Sequence, residues 1–291
     1  MSIKSEYYQP QSLTAALELL AKSDGKLIPL AGGTDIVPAM GKGELRGDGL
    51  VDLSKIPDLR RISLEGSELR IGSLTTFAQI ENSLLIQANA FLLADAAAAV
   101  GSPQVRNSGT IGGNIANASP AADTVTALVT LDAEARLEST KGSRRVLVSE
   151  LLCGAGKTSI HPHEIITEIT FRIPPIGSKT GFIKLGRRKA LAIARMNLAI
   201  IVTVDEDRIS FVRVGLGAVG PNPRRYTALE NSLMGQIPSE SLIEVFVSEA
   251  EREVTRVLGS RPSAVYKREA VKGIARDLLS KLFLVYGQGV V

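Results

Sequence analysis

Two pairs of adjacent glycines place the strongest constraint on the fold of this chain. The first pair lies in the segment 31–35, Ala-Gly-Gly-Thr-Asp, and the second lies near the start of the segment 110–124, Thr-Ile-Gly-Gly-Asn-Ile-Ala-Asn-Ala-Ser-Pro-Ala-Ala-Asp-Thr. Each pair is entered from an apolar segment, so each predicts a loop whose backbone N–H groups can approach an anion such as a pyrophosphate. Ser119 is a good N-cap and Pro120 suits the first helical position, which predicts a helix over 120–130. Either pair alone is weak evidence, and together they predict an anion-binding site.

The composition restricts the classes of function that are open to the chain. It has 291 residues, of which 44% are hydrophobic and 22% are charged, and this is enough for one large domain or two. Aromatic residues make up only 4%, tryptophan is absent and the net charge is +4, so we expect no nucleic-acid partner. No stretch approaches the roughly 20 apolar residues of a membrane span, and 1–11 contains no apolar signal core. We therefore expect a cytoplasmic protein with no membrane span.

Cysteine and histidine are too few for metal chemistry. Cys153 is the only cysteine, so the chain can neither hold an iron–sulfur cluster with its own thiolates nor form an internal disulfide. His161 and His163 lie two residues apart and are better explained as polar residues of a turn around Pro162 than as zinc ligands. We predict no metal site and assign no catalytic residue.

Hydrophobic spacing predicts alternating helices and strands in the first part of the chain. A small α/β unit up to about residue 55 contains a helix over 12–21, capped by Ser12, and strands at 27–30 and 51–53. After residue 61 the predicted elements are a strand at 69–72, a short helix capped by Thr75, an alanine-rich helix over 84–100, the helix over 120–130, and strands at 133–138, 145–148 and 169–173.

The remaining sequence predicts a second domain. The paired prolines and the glycine of 174–178 mark a linker, because prolines stop a strand and glycine frees the chain. Three strand-like runs follow at 181–186, 198–205 and 209–218, and two helices follow at about 239–257 and 264–283. This order predicts an α+β domain with a three-stranded antiparallel sheet packed by helices.

Four motifs resemble one protein family. The segment 104–114, Gln-Val-Arg-Asn-x-Gly-Thr-Ile-Gly-Gly-Asn, is followed by Ala-Ser-Pro-x-x-Asp at 118–123. This pattern resembles the FAD-binding (medium) subunit of the molybdenum hydroxylases, the group of xanthine dehydrogenase and carbon monoxide dehydrogenase. The segment 31–35 is similar to the first flavin loop of that family. The segment 217–225, Gly-Ala-Val-Gly-Pro-x-Pro-x-Arg, and the segment 266–268, Tyr-Lys-Arg, are similar to its C-terminal domain. The resemblance covers nearly the whole chain, with the motifs in the order of the family.

The resemblance implies an α+β fold of the vanillyl-alcohol-oxidase type. Its FAD-binding domain would span 1–177, with two α/β subdomains at about 1–56 and 57–177 that clasp FAD between them. The C-terminal α+β domain of the flavoprotein would span 178–291. Because no histidine lies in either glycine loop, we expect FAD to be bound non-covalently.

The resemblance also implies which residues hold the FAD pyrophosphate. The backbone amides of Gly32 and Gly33 would bind it together with the Thr34 hydroxyl. Asp35 would offer its backbone N–H, with its side chain turned to cap local amides. A second cradle would come from the other subdomain, formed by Thr110, Gly112, Gly113 and Asn114.

Further residues are assigned to other parts of the cofactor by the same resemblance. Asp123 would accept from ribose hydroxyls in the adenosine portion, and Lys184 would approach the isoalloxazine ring, where a cation stabilises the anionic reduced flavin. Ile165 or Ile166 would pack near the flavin, and Arg106 would either brace the second loop or contact phosphate. The full set of expected FAD contacts is Pro29, Leu30, Ala31, Gly32, Gly33, Thr34, Asp35, Ile36, Arg106, Thr110, Ile111, Gly112, Gly113, Asn114, Ala118, Asp123, Ile165, Ile166 and Lys184.

A protein of this family would work as one subunit of a complex. The resemblance implies a large subunit with molybdopterin, a small subunit with two [2Fe–2S] clusters and an assembly that is a dimer of heterotrimers. The flavin subunit would pass electrons to a terminal acceptor, which could be NAD⁺, oxygen, a quinone or a carrier protein. The carbon monoxide dehydrogenase branch typically has His-Ser where this chain has Thr34-Asp35, which favours branches that act on purines, heteroaromatic rings, aldehydes or aromatic acyl-CoA thioesters. The cysteine-rich insertion of the last branch is absent.

Two other functions remain compatible with the sequence. One is a self-sufficient FAD-dependent oxidoreductase of the same fold that binds its own substrate, as UDP-N-acetylenolpyruvoylglucosamine reductase does. Such an enzyme needs an acid near the flavin, and the C-terminal part offers no compelling candidate. The other is a structural subunit that has lost FAD, which the intact glycine loops argue against.

Overall fold

The N-terminal part of the protein is a small parallel sheet with two helices. The computed structural model describes residues 6–45, 47–188 and 192–283. The first elements are β1 (Glu6–Tyr8), α1 (Leu13–Lys22), β2 (Leu27–Leu30), α2 (Ile36–Gly41) and β3 (Gly49–Asp52), and the strands pair in the order β1-β3-β2. The Ser12 side chain caps α1 by accepting from the Ala15 N–H. The predicted helix at 12–21 and strand at 27–30 are thereby confirmed, and the strand predicted at 51–53 begins two residues earlier.

The middle part is an antiparallel five-stranded sheet with helices. After a 3-10 turn over Pro57–Arg60, the strands are β4 (Ile62–Glu65), β5 (Glu68–Gly72), β6 (Glu134–Ser139), β7 (Gly142–Leu147) and β10 (Ile165–Arg172), in the order β4-β5-β10-β6-β7. The helices are α3 (Phe77–Asn82), α4 (Leu84–Asn89), α5 (Phe91–Ala98), α6 (Pro103–Ser108), α7 (Ile111–Asn117), α8 (Asp123–Thr130) and α9 (Val148–Leu151). A small hairpin joins β8 (Leu152–Gly154) and β9 (Lys157–Thr158). Their apolar side chains form one core.

Two helices predicted in this part differ in the structure. The helix expected over 84–100 is two helices, α4 and α5, separated at the buried residue Ala90, whose φ of −152° and ψ of 52° are not helical. The alanine-rich sequence supports a helix throughout, so only the packing of both segments against α3 reveals the break. The cap of α3 is Thr76 rather than Thr75, and it forms a capping box with Gln79.

The second glycine pair lies in a helix rather than in the predicted loop. Thr110 is the N-cap of α7, and its side chain accepts from the backbone N–H of Gly113. Ser119 does not cap the following helix but accepts from Ala121 within a turn, and α8 begins at Asp123. The predicted helix start at 120 is therefore wrong, because the chain uses 118–122 to turn from α7 into α8.

The C-terminal part is an antiparallel sheet packed by helices. Its strands are β11 (Lys179–Leu185), β12 (Met196–Asp205), β13 (Arg208–Gly217) and β14 (Arg224–Arg225), paired in this order, and its helices are α10 (Thr227–Leu233), α11 (Glu240–Leu258) and α12 (Ala264–Phe283). The predicted strands and the two long helices are confirmed within about two residues. The sheet has a short fourth strand, β14, that the sequence did not indicate, since two residues give no alternating pattern.

Strand β12 and helix α8 join the middle part to the C-terminal part. Ala199 and Ile201 of β12 belong to the core of the middle sheet, whereas Leu198 and Ile200 belong to the C-terminal core. All residues of α8 are buried, and α8 contacts α5 as well as β12 and β13. Both elements are therefore buried on two sides, which is why β12 is a continuous apolar run. None of the helices in the described ranges combines the length and the hydropathy of a membrane-spanning segment.

Candidate functional site

A cavity of about 670 Å³ lies where all three parts of the protein meet. This volume is typical of sites for cofactors and small ligands. Most of the residues predicted from the sequence line it, namely Pro29, Ala31, Gly32, Gly33, Thr34, Asp35, Ile36, Thr110, Gly112, Gly113, Asn114, Asp123, Ile165, Ile166 and Lys184. Apolar residues that the sequence did not assign to the site complete the wall, including Leu53, Leu74, Phe77, Val100, Val105 and Ile160. The cavity is therefore largely apolar, with polar groups at two places.

The first glycine pair forms a set of free backbone donors at the cavity wall. Within the described part of the chain, the backbone N–H groups of Gly32, Gly33, Thr34 and Asp35 donate to no protein acceptor. Gly33 has a φ of +71°, a conformation that favours glycine. Consecutive unpaired N–H groups form a concave site for an anion. This loop therefore fits the phosphate groups of a nucleotide.

The side chain of Asp35 does not cap the local backbone, contrary to the expectation. Its carboxylate accepts from the Thr34 hydroxyl and, at 3.2 Å, from the side-chain amide of Asn117 in α7. No side-chain hydrogen bond to the backbone is found at this helix start. Asp35 thus connects the first glycine loop to the helix that holds the second glycine pair.

Close contacts within the protein require glycine, without a side chain, at positions 32 and 112. A Cβ atom on Gly32 would overlap the carbonyl oxygen of Ser108, and a Cβ atom on Gly112 would lie 2.6 Å from the Cβ atom of Ser73. The absence of side chains at these two positions therefore lets backbone segments approach each other. The first loop is held directly against the end of α6, which brings both glycine pairs to one cavity.

The second glycine pair offers no free backbone donors, so the expectation of unpaired N–H groups at this pair is wrong. The assignment of Thr110, Gly112, Gly113 and Asn114 to a second cradle for the cofactor stays a prediction. The Gly112 N–H donates to the Ser73 carbonyl at 2.9 Å, the Gly113 N–H donates to the Thr110 hydroxyl at 3.2 Å, and the Asn114 N–H donates to the Thr110 carbonyl at 2.9 Å. This segment instead presents a glycine surface and the Asn114 side chain. The Asn114 amide oxygen accepts from the Thr124 hydroxyl at 2.7 Å.

A buried ion pair occupies the other polar part of the cavity. Lys184 Nζ donates to Asp123 Oδ2 at 2.6 Å and to the carbonyl of Ala99 at 2.8 Å, and Asn197 Nδ2 donates to Asp123 Oδ1 at 2.9 Å. Burial raises the pKa of the Asp123 carboxyl above its usual value, although the Lys184 ammonium and the Asn197 amide act in the opposite direction. The Thr126 hydroxyl donates to Asn197 Oδ1 at 2.9 Å and so fixes the orientation of that amide.

The sequence assigned Asp123 to the adenosine portion and Lys184 to the isoalloxazine ring. In the structure the two side chains are in contact at 2.6 Å and form one polar site of the cavity, and both assignments stay predictions. The sequence analysis also missed Asn197, whose only signal is that it is a polar residue within the apolar run of β12.

Four predicted residues do not line the cavity. The Arg106 guanidinium donates to Glu81 at 2.9 Å and to the carbonyl of Val100, so it braces the helices around α6. Ile111 is fully buried in the core of the middle part. The other two are Leu30, at the end of β2, and Ala118, which has a φ of +48°.

The predicted turn around Pro162 contributes to the cavity wall. His161 lines the cavity, and its ring stacks on that of His163 with 5.6 Å between the centroids. The backbone N–H of His161 donates to Glu164, which also binds Arg144. In the described ranges, no group of histidine, cysteine and acidic residues is placed to hold a metal ion.

A loop of free N–H groups, an apolar cavity and a buried lysine–aspartate pair together are the features of a protein that binds a nucleotide cofactor. The family model described as the FAD binding domain in molybdopterin dehydrogenase matches residues 2–175, and the model of the CO dehydrogenase flavoprotein C-terminal domain matches residues 182–282. The chain therefore belongs to the FAD-binding subunits of the molybdenum hydroxylases, and it is an oxidoreductase flavoprotein subunit with FAD as its cofactor.

Relatives of the same family align over most of the chain. The nicotinate dehydrogenase FAD-subunit of Eubacterium barkeri is 34% identical over 278 residues, which cover 94% of each protein. The carbon monoxide dehydrogenase medium chain of Hydrogenophaga pseudoflava is 33% identical over 243 residues, covering 82% of this chain and 83% of the relative. A solved structure of carbon monoxide dehydrogenase from Hydrogenophaga pseudoflava matches with a TM-score of 0.89 at 29% identity, covering 96% of this chain and 97% of the other.

Proposed function

We propose that this chain carries electrons through FAD within a molybdenum hydroxylase complex. FAD would receive electrons from the [2Fe–2S] clusters of a small subunit and deliver them to a terminal acceptor, while a large subunit would hold molybdopterin and act on the substrate. The complex would be a dimer of heterotrimers. FAD supplies the ability to accept electrons singly and release them in pairs. The observation that carries this proposal is that Gly32–Asp35, whose backbone N–H groups have no acceptor among the described residues, line a cavity of about 670 Å³.

Within this proposal each polar group of the cavity has a distinct task. The N–H groups of the first glycine loop would bind the pyrophosphate, because they are consecutive donors with no acceptor in the protein. Lys184 would face the flavin ring, where its positive charge favours the anionic reduced form. Asp123 would position Lys184, because one of its carboxylate oxygens accepts from Lys184 while the other is held by Asn197. Ile165 and Ile166 would provide an apolar surface for the ring.

The same proposal divides the chain into two domains. The FAD-binding domain would span 1–177, with subdomains at about 1–56 and 57–177, and the C-terminal domain would span 178–291. Residues of both domains line the cavity, since Lys184 and Ile193 follow the linker. The C-terminal domain would therefore contribute directly to the flavin site.

A comparison of two glycine variants tests the site. Gly33 and Gly43 have the same φ of +71°, but only Gly33 lines the cavity, and a Cβ atom on Gly43 would meet open space. Alanine at either position costs about 1–2 kcal/mol of backbone strain. We expect Gly33→Ala to lose FAD and Gly43→Ala to keep it. The measurement is the flavin absorbance of the purified protein, with the flavin released by acid to show that it is not covalently bound.

Three results would contradict the proposed site. A wild-type protein that remains colourless with added FAD and its partner subunits would refute the flavin function. Equal FAD content in Gly33→Ala and wild type would show that the first loop does not bind the FAD phosphates. An equal loss of FAD in both variants would show that FAD binding depends on the overall stability of the protein and not on this loop.

A further inference from the structure

Asn197 of β12 carries a fully buried amide beside the ion pair of the cavity. In the pairing of the C-terminal sheet it lies directly opposite Lys184 on β11 and Gly217 on β13. The three residues therefore share one face of the sheet, and this face packs against α8, which contacts β12 and β13. An unpaired amide at such a place is costly, so each end of the Asn197 side chain needs a partner.

Helix α8 supplies a partner for each end of this amide. Asn197 Nδ2 donates to Asp123 Oδ1 at 2.9 Å, and Asn197 Oδ1 accepts from the Thr126 hydroxyl at 2.9 Å. Asp123 and Thr126 are three residues apart, so they lie on the same side of the helix. The two ends of the amide are chemically different, and turning it over would place its oxygen against the Asp123 carboxylate. Only one orientation of Asn197 therefore satisfies both residues of α8.

Strand β13 leaves room for this arrangement and also restricts it. A Cβ atom on Gly217 would overlap both the side-chain oxygen of Asn197 and the hydroxyl of Thr126. The amide therefore lies between α8 and a stretch of β13 that has no side chain. Because protein interiors are close-packed, contacts on both sides restrict the movement of the amide.

The fixed amide determines how Asp123 contacts Lys184. Asn197 occupies Oδ1 of the carboxylate, and Oδ2 accepts from Lys184 Nζ at 2.6 Å. Lys184 also donates to the carbonyl of Ala99 at 2.8 Å, so two acceptors fix its ammonium at the cavity wall. An ammonium has three N–H groups, and the described part of the chain provides no acceptor for the third. One donor and the positive charge of Lys184 are thus held in place for a ligand of the cavity.

We propose that Asn197 is a positioning residue that sets the reduction potential of the bound flavin. Asn197 itself does not line the cavity, so it acts through Asp123 and Lys184. The inference rests on the proposed flavin function, in which Lys184 favours the negative charge that the ring gains on reduction. The donation from Asn197 offsets part of the Asp123 charge, so the Lys184 charge acts on the flavin with less opposition.

Two variants weaken this arrangement to different degrees. Asn197→Leu removes both hydrogen bonds and nearly keeps the volume, so the Asp123 carboxylate opposes the Lys184 ammonium more strongly. We expect the ratio of reduced to oxidised FAD at a fixed solution potential to fall about tenfold, because a hydrogen bond to a charged group is lost. For a two-electron couple this equals a fall of about 30 mV in the reduction potential. Thr126→Val removes only the bond that orients the amide and should give a smaller fall in the same direction.

Thr130→Val is the matched control. Thr130 lies one turn further along α8, and its hydroxyl donates to the Thr126 carbonyl at 2.8 Å. It packs against Gly215 of β13 as Thr126 packs against Gly217, and it is equally buried. Thr130 neither lines the cavity nor bonds to Asp123. The control should therefore lower the urea midpoint, as the other variants do, but keep the wild-type potential.

The measurement is a redox titration of the assembled, FAD-loaded complex, in which the flavin is followed by its absorbance. Asn197→Leu is also made in an Asp123→Asn background, where the carboxylate is absent and the further fall in potential should be small. Equal potentials in Asn197→Leu, Thr130→Val and wild type would overturn the proposal, as would additive shifts in the double variant. If Asn197→Leu does not retain FAD, Thr126→Val decides, and a wild-type potential in that variant overturns the proposal. A wild-type complex without FAD would refute the flavin function instead.

Discussion

Replacing Lys184 by methionine removes the charge of the buried ion pair while keeping the length of the side chain. In the wild type, Lys184 Nζ lies 2.6 Å from Asp123 Oδ2, and the two side chains are 14% and 6% exposed. The variant leaves the Asp123 carboxylate with the Asn197 amide as its remaining partner in the network. Because water cannot readily reach the carboxylate, its lost interaction is not replaced.

The expected loss of stability follows from this burial. Breaking a buried ion pair from one side costs about 3–5 kcal/mol, because one charge stays buried without its partner. Because Lys184 is partly exposed, we expect this variant to lose about 3 kcal/mol of unfolding free energy. With a urea dependence of about 3 kcal/mol per M for a protein of this size, the unfolding midpoint falls by about 1 M. Urea unfolding followed by circular dichroism measures this shift.

The destabilisation of Lys184→Met should also depend on pH. Burial raises the pKa of Asp123 above its usual value of 3.8, and loss of the Lys184 ammonium raises it further. A carboxyl with a higher pKa in the folded state binds more protons when folded, so it stabilises the fold at low pH. This stability is lost as the pH rises through the folded-state pKa. The deficit of the variant should therefore be smaller near pH 4 than near pH 7.

The double variant Asp123→Asn/Lys184→Met provides the control. It removes both charges, so no buried carboxylate remains and most of the stability should return. The double variant should be about 1–3 kcal/mol more stable than the sum of the two single variants predicts, which is the coupling expected for residues in contact. The reasoning would be refuted if Lys184→Met lost less than about 1 kcal/mol, or if its deficit were the same at both pH values.

Two further variants test the packing around the site. Gly217→Ala would place a Cβ atom onto the side-chain oxygen of Asn197, so we expect the free energy of unfolding to fall by about 2–3 kcal/mol, measured by thermal unfolding. Gly273→Ala is the control, because its Cβ atom would meet open space in α12, and it should be neutral or stabilising. Arg225→Met removes the partner of the buried Glu230 and one of the two arginines that pair with Asp132, so it should lower the urea midpoint by about 1 M. An unchanged midpoint would show that this ion-pair network contributes little to stability.

Local patterns in the sequence were sufficient to predict most helices and strands. The helices α11 and α12 carry regular apolar faces, and Ser12 marks the start of α1 with a side chain that accepts from the backbone. These signals arise from residues a few positions apart, so they can be recognised without knowledge of the fold. The break at Ala90 and the two-residue strand β14 leave no such signal, since they depend on what each segment packs against.

The two glycine pairs show where local reasoning reaches its limit. Both pairs have the same sequence character, and both were predicted to offer backbone donors. The N–H groups of Gly32 and Gly33 are free, whereas those of Gly112 and Gly113 are used by the Ser73 carbonyl and the Thr110 hydroxyl. The Ser73 contact comes from a distant part of the chain, so the sequence around the glycines does not reveal it.

The sequence by itself determined the family, the FAD cofactor and the two segments that meet at the cavity. Only the tertiary structure decided that Asp123 pairs with Lys184, that Asn197 completes their network and that the backbone N–H groups are free at the first glycine pair but used at the second. The physical reason is that motifs are built from neighbours along the chain. The charge and burial of a side chain, in contrast, are set by residues that only folding brings into contact.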